Sequence, residues 1–236
     1  MNLLLVLMPL LLQGGVIKES FRIAESEPRH HQVCLRAAMA NDGRFAVTWR
    51  DSLQLIDHYE TDLFVRFFDR EGNPLREAYK IIKLVDTTDV YGPCLDMDTS
   101  GKTVLVWAEA GPSLVGMYIR FQAFNPDGSS MDSAQTLYPR GPARTLYSPG
   151  GWDRSFDVAL ANNGRFAFAR PNNGVCVQRF DLEGVPKDSA FMVCRNDSLP
   201  EGLATYPGIA LNDAGDLVVT WLHCIESARM YPRFQV

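Results

Sequence analysis

The chain has 236 residues, 46% hydrophobic and 22% charged, which is enough apolar material for one sizeable all-β domain or two smaller ones. Its net charge of −5 excludes nucleic acid as a default partner, because neutralising phosphates needs a basic surface. No long run of like charge marks an electrostatic tail.

Residues 2–12, Asn-Leu-Leu-Leu-Val-Leu-Met-Pro-Leu-Leu-Leu, form the one continuous apolar run. A bilayer span takes roughly 20 residues, so this run is too short to cross one. It has the length of a signal-peptide h-region, and Gly14-Gly15 offers small residues for cleavage, although no Lys or Arg precedes it and no A-x-A follows. The expectation is an exported chain, periplasmic, cell-surface or extracellular, with 1–14 as signal peptide and 15–236 as a single domain. A mis-assigned start, a cut from a longer repeat protein and a buried edge segment are the alternatives.

From residue 15 onward the sequence repeats. A turn glycine followed by an apolar run recurs as Gly43-Arg44-Phe45-Ala46-Val47-Thr48-Trp49, Gly101 to Trp107, Gly164 to Arg170 and Gly215 to Trp221. A second corner, Phe68-Asp69-Arg70-Glu71-Gly72, returns at Phe124 and Phe180, spaced by 56 and 56 residues, and Phe234 follows 54 later. Self-similarity at this period marks a propeller or solenoid. Each repeat predicts four short strands. Strand A alternates, with Ala37 and Met39, Leu95 and Met97, Val158 and Leu160, and Ile209 and Leu211 on one face. Strand B is nearly all apolar, as when both faces are packed. Strand C ends at the recurrent Phe, and strand D covers Tyr79–Ile82, Ala134–Leu137 or Phe191–Cys194. No window shows a capped 3.6-residue period, so almost no helix is expected.

The repeats fall at about 30–83, 90–137, 152–194 and 204–236, with 15–23 resembling the last strand of a repeat. The segment missing at one end is the surplus at the other. The predicted fold is therefore an all-β propeller of four-stranded antiparallel blades, four in number, with the last blade closed by the N-terminal strand. Closure removes exposed sheet edges. A β-sandwich and a fragment of a larger propeller are the alternatives, and the chain would be a monomer or would self-associate to complete a larger ring.

The stretches Tyr206-Pro207 with Ile209 to Trp221, Val65 to Leu75 and Gln178 to Pro186 resemble a tandem repeat of bacterial exported and surface proteins, loosely "YPSVAMDADGDFVVTW…YARRFDADGNPLGGEFRV". The resemblance implies a β-propeller-like, exported protein and brings no active site with it. Repeat three departs from it, with Arg170-Pro171 where the others have tryptophan.

Several motifs carry little chemistry. The Asp-Gly turns have their tryptophan six residues after the glycine, which fits hairpin fixtures rather than sialidase Asp-boxes. Asp96-Met97-Asp98-Thr99-Ser100-Gly101 begins like a calcium loop but lacks its closing glutamate. His30, His31, His58 and His223 show no metal-ligand spacing, and the five cysteines form no C-x-x-C, so neither a metal nor a cofactor is expected. Cys176 and Cys194 flank a hairpin as cross-strand neighbours, either bonded or as two thiols. No nucleophile elbow, P-loop or catalytic zinc motif occurs. Glu60, Asp62, Glu109 and Asp153 are the loop carboxylates available to a glycoside-hydrolase or sialidase-like alternative.

The loops differ in kind. The A–B and C–D turns are short and stereotyped, whereas the B–C and D–A connections, including Asp51–Asp62 and Tyr138–Asp153, are long and unlike one another. Variable loops on a rigid scaffold are where binding sits. Tyr59, Tyr138, Arg140, Arg144, Tyr147 and Trp152 combine flat aromatics with donors, the residue types of recognition hot spots. The function expected is non-catalytic binding of a glycan or protein surface through that face, with a purely structural repeat module as a further alternative.

Overall fold

The computed structural model describes residues 5–6, 11–12, 15–16, 20–25, 28–54, 59–81, 83, 89–110, 117–141, 156–196, 203–226 and 229–235. For residues 5–16, 59, 117, 139–141, 225–226 and 229–231 only the backbone enters that description.

Two short ribbons come first: β1 (Leu5–Val6) pairs with β4 (Phe21–Arg22), and β2 (Leu11–Leu12) with β3 (Gly15–Val16). Four antiparallel meanders follow. Blade I contains β5 (His30–Met39), β6 (Phe45–Gln54), β7 (Tyr59–Phe68) and β8 (Tyr79–Lys80). Blade II contains β9 (Asp89–Met97), β10 (Thr103–Ala110), β11 (Met117–Phe124) and β12 (Gln135–Gly141). Blade III contains β13 (Asp157–Leu160), β14 (Arg165–Pro171), β15 (Gly174–Asp181) and β16 (Phe191–Arg195). Blade IV contains β17 (Leu203–Leu211), β18 (Leu217–Glu226) and β19 (Arg229–Gln235), three strands among the described residues. The fold is an all-β propeller of antiparallel blades.

The predicted signature builds these sheets. At each A–B corner an Asp or Asn side chain closes the turn. Asp42 Oδ1 accepts from Arg44 N at 3.1 Å, Asp98 Oδ1 from Lys102 N at 2.9 Å, and Asn163 Oδ1 from Arg165 N at 3.0 Å. Every residue of β10 is buried, as a run packed on both faces requires. The recurrent Phe pins the third strand to the second, with Phe45 stacked on Phe68 at 4.8 Å and Phe166 on Phe180 at 5.4 Å. Aromatic pairs of this kind add about 0.5–1.5 kcal/mol beyond the area they bury.

Consecutive blades pack face to face, I on II, II on III and III on IV, while among the described residues no comparable packing joins IV to I. Each seam is apolar. Leu63, Val65, Phe67 and Ile81 of blade I meet Leu105, Trp107 and Phe124 of blade II. The seam before blade I repeats this on a smaller scale, with Ile23 packed on Phe45, Val47 and Trp49. Residues 21–23 thus occupy the outer-strand position ahead of blade I, as their sequence suggests. Their strand pairs with Leu5–Val6, however, and not with β19.

Blade IV also differs in register. The first three blades place their corner Phe opposite the residue two beyond the turn glycine, as in Phe45↔Phe68, Thr103↔Phe124 and Phe166↔Phe180. In blade IV Phe234 lies opposite Thr220, three residues further along β18. An odd shift exchanges the two faces of a strand. Phe234 is accordingly 72% exposed, where its counterparts are 0–2% exposed. A hairpin's connection sets its register, and here β18 and β19 are already paired at Glu226↔Arg229.

Three other expectations change. The stretch Asp51–Asp62 is mostly strand, with Asp51↔Asp62 through Gln54↔Tyr59 all in ladder register, so Tyr59, Glu60 and Asp62 stand on β7. Glu109 lies inside β10 and is fully buried. An irregularity between Val175 and Cys176 sets Cys176 opposite Met192 and Cys194 opposite Val175, and both thiols are free.

Candidate binding site

The two rims of the propeller have different chemistry. On the rim of the A–B and C–D turns, polar groups are used to latch neighbouring blades. Arg44 Nη2 donates to Ser100 O at 2.8 Å, and its Nη1 reaches Pro126 O at 3.2 Å. Thr99 N donates to Asn162 Oδ1 at 2.9 Å, Asn162 N to Asp213 Oδ1 at 2.7 Å, and Asn163 Nδ2 to Asp213 O at 2.8 Å. The calcium-like stretch belongs to this rim. Asp98 closes its own turn, and Asp96 Oδ2 accepts from Leu160 N of blade III at 2.7 Å. Among the described residues, no group of three or more His, Cys, Asp or Glu could hold a metal.

The opposite rim, of the B–C and D–A connections, carries side chains that differ from blade to blade. Eight residues after each turn glycine, strand B presents Asp51, Glu109, Asn172 and His223. This station lies two residues past the tryptophan and shares its face. His30 Nδ1 and Asp51 Oδ1 are 2.8 Å apart, and Trp107 Nε1 donates to Glu109 Oε1 at 2.8 Å.

Around the seam of blades I and II the rim is densest. Asp89 accepts from Thr61 Oγ1 and from Tyr91 OH, each at 2.9 Å. Lys80 Nζ lies 2.7 Å from Asp62 Oδ2, and Lys83 Nζ donates to Thr61 O at 2.7 Å. The Arg50 guanidinium stands over the Tyr91 ring at 5.5 Å. Arg50, Lys83, Asp89 and the Tyr91 ring thus come together at this seam, whereas Lys80 and Asp62 pair on the opposite face of blade I. A β-bulge helps aim it. Three inner strands are irregular nine residues before the turn glycine, with φ of 58° at Cys34, 53° at Gly92 and 52° at Tyr206. Such bulges re-aim side chains and are over-represented next to active sites.

Of the residues singled out from sequence, the structure places Tyr138 fully, and as a structural wedge. Its ring lies under the Arg170 guanidinium at 4.3 Å and meets Phe180 edge-on, and its hydroxyl is 2.5 Å from Gln178 Oε1. Burial pushes its phenol pKa up. Arg170 thereby fills the position that tryptophan holds in the other repeats. Tyr59 lies on β7 and Arg140 on β12, with no side-chain description, while Arg144, Tyr147, Trp152 and Asp153 lie outside the described residues. The sequence reading missed Arg50, Asp51, Lys83, Asp89 and Tyr91. Counting eight residues from each turn glycine would have flagged Asp51.

A second polar group lies on the inner strands. Burial raises the pKa of Asp96 and of Asp157, each also raised by the other or a neighbouring carboxylate, and Arg36 acts against this at Asp157. Asp157 Oδ2 accepts from Ile209 N of blade IV at 3.0 Å. A carboxyl whose folded pKa lies above its unfolded value stabilises the fold most at low pH, and that contribution is lost as pH rises through the folded pKa. Asp157→Asn keeps the acceptor and removes the ionisation. Its Tm at pH 7 is expected to match or exceed the parent's, with a flatter Tm between pH 4 and 6. A fall of more than about 3 °C in calorimetry at pH 7, roughly 1 kcal/mol for a chain of this size, would contradict this.

No family model matches the chain, and no curated protein matches it. Solved structures do. An α-L-arabinofuranosidase, Arb93A of Fusarium graminearum, seen with an iminosugar inhibitor, is 12% identical with a TM-score of 0.54, over 89% of this chain and 63% of its own. The same organism's enzyme with arabinobiose gives 12% and 0.54, over 88% and 62%. A protein of unknown function from Dyadobacter fermentans is 10% identical with a TM-score of 0.53, over 84% of this chain and 50% of its own. The chain therefore spans about half to two thirds of the length of these structures, and at such identity the likeness concerns the fold alone.

Proposed function

We propose that this propeller is a non-catalytic, exported binding protein that takes a glycan on its B–C/D–A rim, at the seam of blades I and II. The observation that carries the reading is the contrast between rims: one spends its polar groups on latching blades, and the other gathers Arg50, Lys83, Asp89 and Tyr91 in a part-exposed patch. Sugars are recognised by flat aromatic faces together with charged or amide groups that reach their hydroxyls. An arabinofuranosidase of the same fold that holds arabinobiose supports the glycan class by analogy.

The rim carboxylates have other work. Asp51 is paired with His30, Asp62 with Lys80, and Asp89 with Thr61 and Tyr91. A glycosidase reading is favoured by one observation, the pKa values of Asp96 and Asp157 raised by burial, the property of a general acid. Each of them, however, already holds an N–H of the next blade.

Glycan-array binding of the parent chain tests the proposal against Tyr91→Ala and Lys83→Ala. Both are expected to lose binding at least tenfold. Undiminished binding in both variants would move the site elsewhere. Turnover of a chromogenic glycoside that disappears in Asp157→Asn would replace the binding reading with the enzymatic one.

A further inference from the structure

Each end face of the blade series has exposed positions whose counterparts on internal faces are buried, although Phe45, Val47 and Trp49 of blade I are covered by Ile23. On the trailing face of β18, Val218 is 37% exposed, while Ala46, Val104 and Ala167 at the same station of the other blades are fully buried. Two residues further, Thr220 is exposed and its counterparts Thr48, Val106 and Ala169 are buried. On the leading face of blade I, Met39 is 48% exposed, against 7% for Met97 and 7% for Leu160. The polar latch shows the same interruption. Thr99 donates to Asn162 and Asn162 to Asp213, and Asn41 holds the matching acceptor station of blade I with no preceding turn beside it among the described residues.

The repeat itself says what fits these faces. Inside the chain, each trailing face is covered by the leading face of the following blade, so blade IV is complementary to a leading face like that of blade I. Among the described residues, the chain's own blade I makes no comparable contact with it. We propose that the trailing face of blade IV docks the leading face of blade I of a second copy, head to tail, with Val218 and Thr220 against Met39. The second copy also brings an outer strand already in place. Its Ile23 packs on its own Trp49, as Ile81 packs on Trp107, and blade IV has three strands among the described residues. Two copies joined at both ends make an eight-bladed ring, within the range of about 4–8 blades in which propellers close. A head-to-tail contact that did not close would grow into filaments instead.

Light scattering in line with gel filtration on the full chain tests this. The parent is expected at twice the mass of one chain. Met39→Lys and Val218→Lys should each run as single chains with unchanged far-UV circular dichroism, because both positions are exposed in the free chain. An equimolar mixture of the two variants should recover pairs, because the intact trailing face of Met39→Lys meets the intact leading face of Val218→Lys. A parent of single-chain mass at every concentration, variants that remain paired, or a mixture that stays single would each overturn the proposal.

Discussion

Glu109→Ala is expected to destabilise the fold by about 3–5 kcal/mol, the usual cost of removing one partner from a buried charge pair. Glu109 is fully buried, and Arg120 has 7% of its side chain exposed. Their closest approach, Arg120 Nη1 to Glu109 Oε2, is 3.9 Å, and Arg120 Nη2 donates to Ala134 O at 2.6 Å. The carboxylate therefore acts on the guanidinium mainly through its charge, and on Trp107 Nε1 through a hydrogen bond of 2.8 Å. Alanine leaves a buried cation uncompensated and an indole N–H without its acceptor. Glutamine keeps an acceptor for Trp107 and loses only the charge, so it should cost less. Replacing Glu109 and Arg120 together by methionine removes the unpaired charge and should cost less than Glu109→Ala alone. Urea unfolding of the single and double variants reads the coupling. Additivity within about 0.5 kcal/mol would mean that the two charges do not sense one another.

The fold was legible because each repeat writes its corners in residues with one structural use. An Asp or Asn before a glycine closes the A–B turn, and the corner Phe pins the third strand, so the meander of each blade could be read from its corners. Phe234 also ends a third strand, 54 residues on, but the signature does not announce its shifted register. A hairpin register depends on the connection between its strands, and the residues that connect β18 to β19 carry no Asn-Gly or Asp-Gly to announce it. The site was harder to read for a related reason. Alternating charged residues in Asp51–Asp62 look like a solvated loop, yet they stand on two paired strands and face opposite sides in turn. The approach of Arg50 to Tyr91 and the bond from Thr61 to Asp89 arise between strands of different blades. Tyr138 illustrates the converse. Its sequence context reads as a variable loop, while its ring is spent against Arg170 and Phe180, and the tryptophan missing from repeat three is the clue that another aromatic supplies that packing.

Gly174→Ala is expected to cost on the order of 3 kcal/mol, well beyond the roughly 1 kcal/mol of an ordinary left-handed glycine. Gly174 has φ of 132°, and a Cβ there would lie 1.9 Å from the Cys194 carbonyl oxygen. That oxygen is backbone of β16, paired with β15 at Gly174↔Arg195 and Val175↔Cys194, so it cannot swing aside as a side-chain tip could. Relief requires separating β15 from β16, and β16 is the strand that carries Cys194 and Val193 into the core against Trp221. The damage should therefore reach the seam of blades III and IV. Gly164 provides the internal control. Its φ is 77°, and a Cβ there meets only the Leu182 side chain at 3.8 Å, so Gly164→Ala bears the conformational cost without the clash. Hydrogen exchange would separate the two, with faster exchange of the β15–β16 amides in Gly174→Ala and little change there in Gly164→Ala. Equal destabilisation by both substitutions would show that conformation, and not the approach of Cys194 O, decides the cost.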